Sequence, residues 1–204
     1  MLLHKRTYYK PSKEARILAI LDTLSQKSRI SQHELGKHLD ISGAMVNQYL
    51  KDLQADKLVS FKAINGKSFR YELTLKGERL RRELFAAFSS ETIRIYSGLK
   101  QLFLKKILPL RDRGLTKLAL FGASETCEVV LSALRDTEFE ILTLLDNDVA
   151  KQGKLFHGYV ISPPTVLESM HCQAVCITSF GGQDQIFDQL LPVSKRTGLE
   201  VVKL

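Results

Sequence analysis

The chain has 204 residues, 44% of them hydrophobic and 25% charged, with a formal net charge of +8; this is the balance of an ordinary soluble protein of one large domain or two small ones. No apolar run reaches the ~18 residues of a membrane span, and the basic opening MLLHKRTYYKPSKEAR lacks the apolar core of a secretory signal. The expected location is the cytoplasm, without a membrane partner. Three cysteines, Cys127, Cys172 and Cys176, have no framework spacing and do not suggest disulfides. His171, Cys172 and Cys176 could be read as metal ligands, but Cys176 lies inside the apolar run AVCIT, where a small buried side chain is the simpler reading, so no metal is expected. The charge is unevenly divided: residues 1–113 carry 23 Lys and Arg against 11 Asp and Glu, and residues 114–204 carry 7 against 11. The front half is suited to a polyanion, nucleic acid or an acidic membrane surface, and the rear half is not.

In chain order, residues 12–27 place Ile17, Leu18, Leu21 and Leu24 at helical spacing and predict a first packing helix. Ser31 followed by Glu34 is a capping box, with Ile30 and Leu35 as its hydrophobic staple, so a short helix begins at Gln32 and ends near Leu39-Asp40. Ser42 is the N-cap of the next helix, which runs from Gly43 to about Asp56. Val46, Leu50 and Leu53 share its inner face; Ala44, Asn47, Gln48 and Lys51 share the other. Asn and Gln can pair with adenine in the major groove, and Lys can reach guanine or phosphate. Two helices joined by a tight turn, the second carrying such a face, make a helix-turn-helix. Residues 58–64 and 68–73 read as two strands joined through Asn65-Gly66, a strong hairpin signal. Lys62, Lys67 and Arg70 make that hairpin basic, as suits a wing on phosphate or the minor groove. A winged helix used only for protein contacts would leave this positive charge without a purpose.

The stretch ISQHELGKHLDISGAMVNQYLKDLQADKLVSFKAINGKSFRYELTLKG resembles winged-helix bacterial regulators of the MarR, ArsR and PadR-like kind, over roughly residues 14–80. The resemblance implies double-stranded DNA as partner, with Ser42, Ala44, Asn47, Gln48, Lys51, Lys62, Lys67 and Arg70 as contacts. It departs from the family pattern at Gly36, where Ala is usual and Gly weakens the helix, and at Gln48, where Arg is common. A homodimer is expected, because helix-turn-helix dimers read half-sites about 34 Å apart. Residues 78–88 continue as a helix, Ser89-Ser90 interrupts, and a second amphipathic stretch runs from Glu91 to about Leu108, ended by Pro109. This organises the chain as a winged helix over 1–88, a helical connector over 89–114 and a further domain over 115–204.

The last domain alternates strands and helices. Residues 117–121 are an apolar strand, followed by Gly122, Ala123, Ser124, Glu125, Thr126 and Cys127, a helical run, and a strand over 139–145 ending in Asp146-Asn147-Asp148. In dinucleotide-binding folds an acidic residue about 20 positions after the glycine turn takes the ribose hydroxyls, which makes Asp146 the candidate. A short strand at 159–161, a short helix from Pro163 to Met170, a buried strand over 174–179 leading to Phe180-Gly181-Gly182, a helix over 183–195 and a last strand over 199–203 complete an α/β pattern. A parallel sheet with helices on both faces is the economical solution.

The motifs LFGAS, LLDND, KQGKLFHGYVISPP and CITSFGG resemble the nucleotide-sugar-binding domains of PglD-type acetyltransferases and polysaccharide-biosynthesis enzymes. The order winged helix then Rossmann-like domain is similar to the Rex repressors, although the extra C-terminal helix of Rex is missing. These resemblances imply a Rossmann-like fold and a bound nucleotide, nucleotide sugar or NAD(H) at Gly122, Ala123, Ser124, Glu125, Thr126, Asp146, Asn147, Ser179 and Gly181. Only the first glycine of the pyrophosphate fingerprint survives, with Ser124 and Cys127 at the other two positions, so a fold kept for oligomerisation stands as an alternative. No nucleophile elbow, phosphate loop or zinc motif is present, and Glu125, Asp146 and His157 have nothing to pair them for acid–base work. The expectation is a DNA-binding transcriptional regulator, not an enzyme, whose second domain senses a nucleotide or nucleotide sugar. The alternative is a nucleotide-sugar-handling enzyme or accessory subunit with an appended winged helix.

Overall fold

A computed structural model describes residues 12–65 and 68–204. The chain divides between Ile93 and Arg94 into two compact units.

The first unit is built by its caps. Ser12 accepts from the Ala15 amide and starts α1 (Lys13–Gln26). Ser31 and Glu34 form the reciprocal capping box that starts α2 (Gln32–Leu39). Ser42 accepts from the Met45 amide and starts α3 (Gly43–Ala55). Between α2 and α3 the chain turns through Asp40 at φ 54°, a left-handed conformation that aspartate tolerates. Strands β1 (Val59–Asn65) and β2 (Ser68–Leu73) pair antiparallel, with Val59 opposite Leu73 and Phe61 opposite Tyr71. The core gathers Ile20, Leu21 and Leu24 of α1, Leu35 and Leu39 of α2, Val46, Leu50 and Leu53 of α3, and Leu58, Val59 and Tyr71 from the hairpin. Gly36 has a reason that the sequence reading lacked. A Cβ there would stand 2.9 Å from the Ile41 carbonyl oxygen, while the Gly36 carbonyl accepts from the Ile41 amide at 3.0 Å. The glycine gives up helix propensity so that the turn can close on α2.

A long helix, α4 (Leu75–Asp112), leaves the wing. Its start is tied to Leu58. The Thr74 amide donates to the Leu58 carbonyl at 3.0 Å; the Thr74 hydroxyl donates to the Lys57 carbonyl at 2.7 Å and lies 3.2 Å from that of Leu58; and the same hydroxyl accepts from the Gly77 amide at 3.0 Å. Arg81, bound to Glu78 and to Asp22 at 2.9 Å each, joins α4 to α1. The helix is continuous through Ser89-Ser90, where the sequence suggested a break, because two serines cost only a few tenths of a kcal/mol each between good helix formers. It also passes Pro109 by one turn. Leu110 is buried, and its carbonyl accepts from the amides of Arg113 and Leu115, closing the end at Gly114 (φ 74°).

The second unit is an α/β fold. Its strands are β3 (Lys117–Phe121), β4 (Glu140–Leu145), β5 (Leu155–Phe156), β6 (Tyr159–Ser162), β7 (Ala174–Ile177) and β8 (Glu200–Lys203); its helices are α5 (Glu125–Leu134) and α6 (Gln183–Thr197), with a 3-10 turn at Pro164–Glu168. The sheet order is β5-β6-β4-β3-β7-β8. Five strands are parallel; β5 is antiparallel to β6, so the sheet is mixed where an all-parallel one was expected. The two residues of β5 are too few to show a periodicity. The β5–β6 hairpin turns on His157 (φ 49°) and Gly158 (φ 86°). Strand β3 is buried on both faces: Leu118 and Leu120 meet α5 and Phe103, Ile107 and Leu110 of α4, while Ala119 and Phe121 meet Ile186 and Leu190 of α6. All three cysteines are free thiols. Burial pushes Cys127 and Cys176 up to about 12 and Cys172 to about 11, so none is a thiolate at neutral pH. No helix among the described residues is long and apolar enough to cross a membrane, and no group of three or more His, Cys, Asp or Glu among them could hold a metal ion.

Gly77→Ala tests the tie to Leu58. Helix propensity alone would favour alanine by about 1 kcal/mol. A Cβ would however fall 2.0 Å from the Leu58 carbonyl oxygen, which is backbone and cannot step aside. Urea denaturation is expected to show a net loss of about 2–3 kcal/mol in the first unit.

Candidate nucleic-acid interface and glycine turn

Helix α3 sinks Val46, Leu50 and Leu53 into the core. Ala44, Gln48 and Lys51 remain exposed and Asn47 half-buried, on the face expected from the sequence. Ser42 is exposed but spends its hydroxyl on the Met45 amide, so it positions the helix as well as offering an edge. Two residues of this face escaped the sequence reading. Met45 is 36% exposed. Asp52, one turn beyond Gln48, accepts from the Gln48 Nε2 at 2.8 Å. The i, i+4 spacing of Gln48 and Asp52 was the signal for that bond. On the hairpin, Lys62 and Arg70 each lie 3.9 Å from Glu72. Pairs that long and exposed contribute little, so both cations stay available to a phosphate. Lys67 lies outside the described residues, as does Gly66 of the hairpin turn.

In the second unit the turn after β3 is bound internally. Gly122 (φ 110°) donates its amide to the Leu145 carbonyl at 2.7 Å, and a Cβ on it would stand 2.9 Å from that of Ser179. The turns after β3 and after β7 therefore touch, and glycine is the residue that lets them. The buried Thr178 hydroxyl lies 2.9 Å from the Phe121 carbonyl and 2.7 Å from that of Gly122, reinforcing the contact. Asp146 is buried at the end of β4. Its Oδ2 accepts from the Ala123 amide at 3.0 Å and the Lys151 ammonium at 2.9 Å, and its Oδ1 accepts from the Asp148 amide at 2.9 Å. Lys151 also donates to the Ala123 carbonyl. Asp146 thus has a structural task, latching the glycine turn to β4, that the ribose analogy did not supply. Burial pushes its carboxyl up, but the Asp148 amide, Lys151 and the Ala123 amide outweigh it, and the carboxyl ends below the ordinary range. Asn147 exchanges amide hydrogen bonds with Gln189 of α6. Ser124, the N-cap of α5, makes no side-chain cap bond; its hydroxyl points back to the Thr178 carbonyl at 3.4 Å. Glu125 is exposed and Thr126 half-buried in the first turn of α5, with Ser179 half-buried and Gly181 exposed in the turn after β7.

Residues 14–60 match a family described as winged helix-turn-helix DNA-binding; the front of the chain is such a domain. Residues 114–196 match a family described as C2185-like, N-terminal, a description that names neither a nucleotide-sugar nor a redox-sensing family. No curated protein matches the chain. Among solved structures it is similar to the MarR family protein Rv2887 of Mycobacterium tuberculosis in complex with salicylic acid, with 25% identity over 46% of this chain and 73% of that one, at a TM-score of 0.37. It is similar to the adhesin competence repressor AdcR of Streptococcus pyogenes, with 28% identity over 52% and 78% of the two chains, TM-score 0.37. The MepR–DNA complex of Staphylococcus aureus gives 20% identity over 43% and 63%, TM-score 0.37.

Asp146→Asn tests the latch. A carboxylate whose folded pKa is depressed contributes stability that is fully present above its unfolded value, about 3.9, and is lost as pH falls through the lower folded value. The variant is expected to lose about 2 kcal/mol at neutral pH, because it weakens hydrogen bonds to a charged acceptor. Its deficit against wild type should shrink below about pH 4, as read by thermal unfolding across a pH series; a deficit constant with pH would remove the charge from the account.

Proposed function

We propose that the protein is a sequence-specific, DNA-binding transcriptional regulator that reads the major groove with α3 and touches the flanking backbone with its wing. The observation that carries this reading is the outward face of α3: Ala44, Gln48 and Lys51 stand exposed over a helix whose other face is fixed in the core. Gln48 and Asn47 suit the adenine edge, Met45 and Ala44 suit the thymine methyl, and Lys51 suits guanine or phosphate. Asp52 holds Gln48 in the unbound state and can itself accept from cytosine, which gives the face a way to prefer one sequence. Lys62, Lys67 and Arg70 add phosphate contacts and set the register of the helix in the groove.

The second unit, on this reading, is Rossmann-like and senses a small phosphate-bearing ligand, a nucleotide or nucleotide sugar. In chain order the parallel strands run β3, β4, β6 outward on one side and β7, β8 on the other. The order reverses between β3 and β7, and open α/β sheets take ligands outside the carboxyl ends of the strands at such a reversal. A phosphate there would meet the amides of Ser124, Glu125 and Thr126 at the start of α5, with Ser179 and Gly181 opposite. The Asp146 carboxylate and the Ala123 amide serve each other and leave the ligand to those groups.

Fluorescence anisotropy against DNA tiled across the gene's own upstream region, with non-specific competitor, tests the regulator. Saturable binding to one tile is expected. Lys51→Ala and Lys62→Ala should each weaken it and lower the slope of log K against log salt by about one. Unchanged affinity and slope in both variants would sink the assignment of this face. A nucleotide that binds should raise the melting temperature, since ligand at 100 times its Kd adds about 2.7 kcal/mol.

A further inference from the structure

Between the β5–β6 hairpin, α5 and α4 the second unit has a cavity of about 360 Å³, a volume in the range of small-molecule sites. One stripe of α5 lines it. Glu128, Leu131, Ser132 and, at the C-cap, Arg135 are the i, i+3, i+4 and i+7 positions of a single helix face. Tyr96, in the part of α4 that belongs to this unit, and His157 and Tyr159 of the hairpin complete the lining. The cavity is separate from the glycine turn: His157 and Tyr159 lie at the amino end of β6, whereas Gly122 follows the carboxyl end of β3.

In the sequence nothing pairs with His157. The fold supplies Glu128, whose carboxylate lies 3.6 Å from the His157 Nε2. The imidazole is carried by a two-residue loop between the paired residues Phe156 and Tyr159, with positive φ at both His157 (49°) and Gly158 (86°). Such a loop prefers asparagine at its first position. Histidine keeps the turn and adds an imidazole at the cavity, edge-on to the Phe156 ring with 4.5 Å between centroids. Arg135 makes no ion pair or hydrogen bond among the described residues, and neither Tyr96 nor Tyr159 spends its hydroxyl on one of them.

A negative group at one end of a cavity and a positive group at the other select against simple ions. A small anion drawn to Arg135 meets Glu128, and a small cation drawn to Glu128 meets Arg135. A molecule that carries both charges meets neither penalty. The spacing sets its size. Residues seven apart on a helix stand about 10 Å apart along its axis, so the two charges of the ligand belong on different atoms of a short chain rather than on one carbon. Between them Leu131 and the two tyrosine rings offer apolar surface, and Ser132 and the phenols offer hydrogen bonds.

We infer that this cavity binds a small zwitterion of dipeptide size. Its ammonium lies at Glu128, its carboxylate takes the two parallel hydrogen bonds that the Arg135 guanidinium can donate, and an apolar side chain rests against Leu131 and the tyrosines. The inference depends on neither the DNA-binding nor the nucleotide reading.

Isothermal titration calorimetry of the full chain with glycyl-phenylalanine, its N-acetyl derivative and its C-terminal amide tests the site. The free dipeptide is expected to bind, and each cap should weaken it at least about 10-fold, the scale of one lost hydrogen bond to a charged group. Free phenylalanine, with both charges on one carbon, should bind more weakly than the dipeptide. In Glu128→Gln the acetyl cap should no longer matter, and in Arg135→Gln the amide should bind as well as the free acid. Both side chains are exposed, so thermal unfolding of either variant should follow wild type; the comparison of capped and free peptides on wild type needs neither variant. No binding of the free dipeptide, capped forms that bind as tightly as it does, free phenylalanine that matches it, or folded variants that keep the full sensitivity to the caps would each overturn the inference.

Discussion

The carbonyl of Leu58 is the fixed point of the first unit. It sits where α3 has ended and the wing begins, and it accepts the Thr74 amide while the Thr74 hydroxyl reaches it and the neighbouring Lys57 carbonyl. Gly77 lets the first turn of α4 lie against it, since any side chain there would collide. One backbone oxygen therefore joins the end of α3, both strands of the hairpin and the start of α4. The exposed face of α3 can remain small and polar because the buried face, together with this tie, holds the helix in place.

The second unit depends on a different device, a buried charge that is fully partnered. An isolated carboxylate inside a fold is costly, whereas one that accepts two amides and an ammonium is held in a single geometry. Asp146 does this between β4 and the turn after β3. Together with Gly122 against Ser179, it fixes two turns against each other at the point where the strand order reverses. The acidic residue that a ribose analogy would place toward a ligand is turned into the fold, onto the Ala123 and Asp148 amides and Lys151.

The two units share α4, and that helix carries the feature that neither core explains. Its last turns are core, through Phe103, Ile107 and Leu110, but its middle exposes apolar side chains to water.

Much of this was legible in the sequence. The capping box at Ser31 and Glu34, the N-cap at Ser42, the 3.6-residue spacing of Val46, Leu50 and Leu53 and the apolar run of β3 are local signals, and local signals determine where elements start and which face is buried. The outward residues of α3 follow from the same periodicity. Tertiary structure alone decided the rest. One partner of Asp146 is the Ala123 amide, 23 residues away in sequence, and nothing in the local pattern separates a carboxylate that bonds its own backbone from one that waits for a ribose. Gly36 and Gly77 look like weak helix positions until the carbonyls of Ile41 and Leu58 are placed against them. The apparent break at Ser89-Ser90 disappears because helix formation is cooperative over many residues and two poor positions do not stop it. Periodicity is a property of neighbours along the chain, so the sequence could declare it; which distant backbone group fills the space beside a residue is a property of packing, and only the folded chain could decide that.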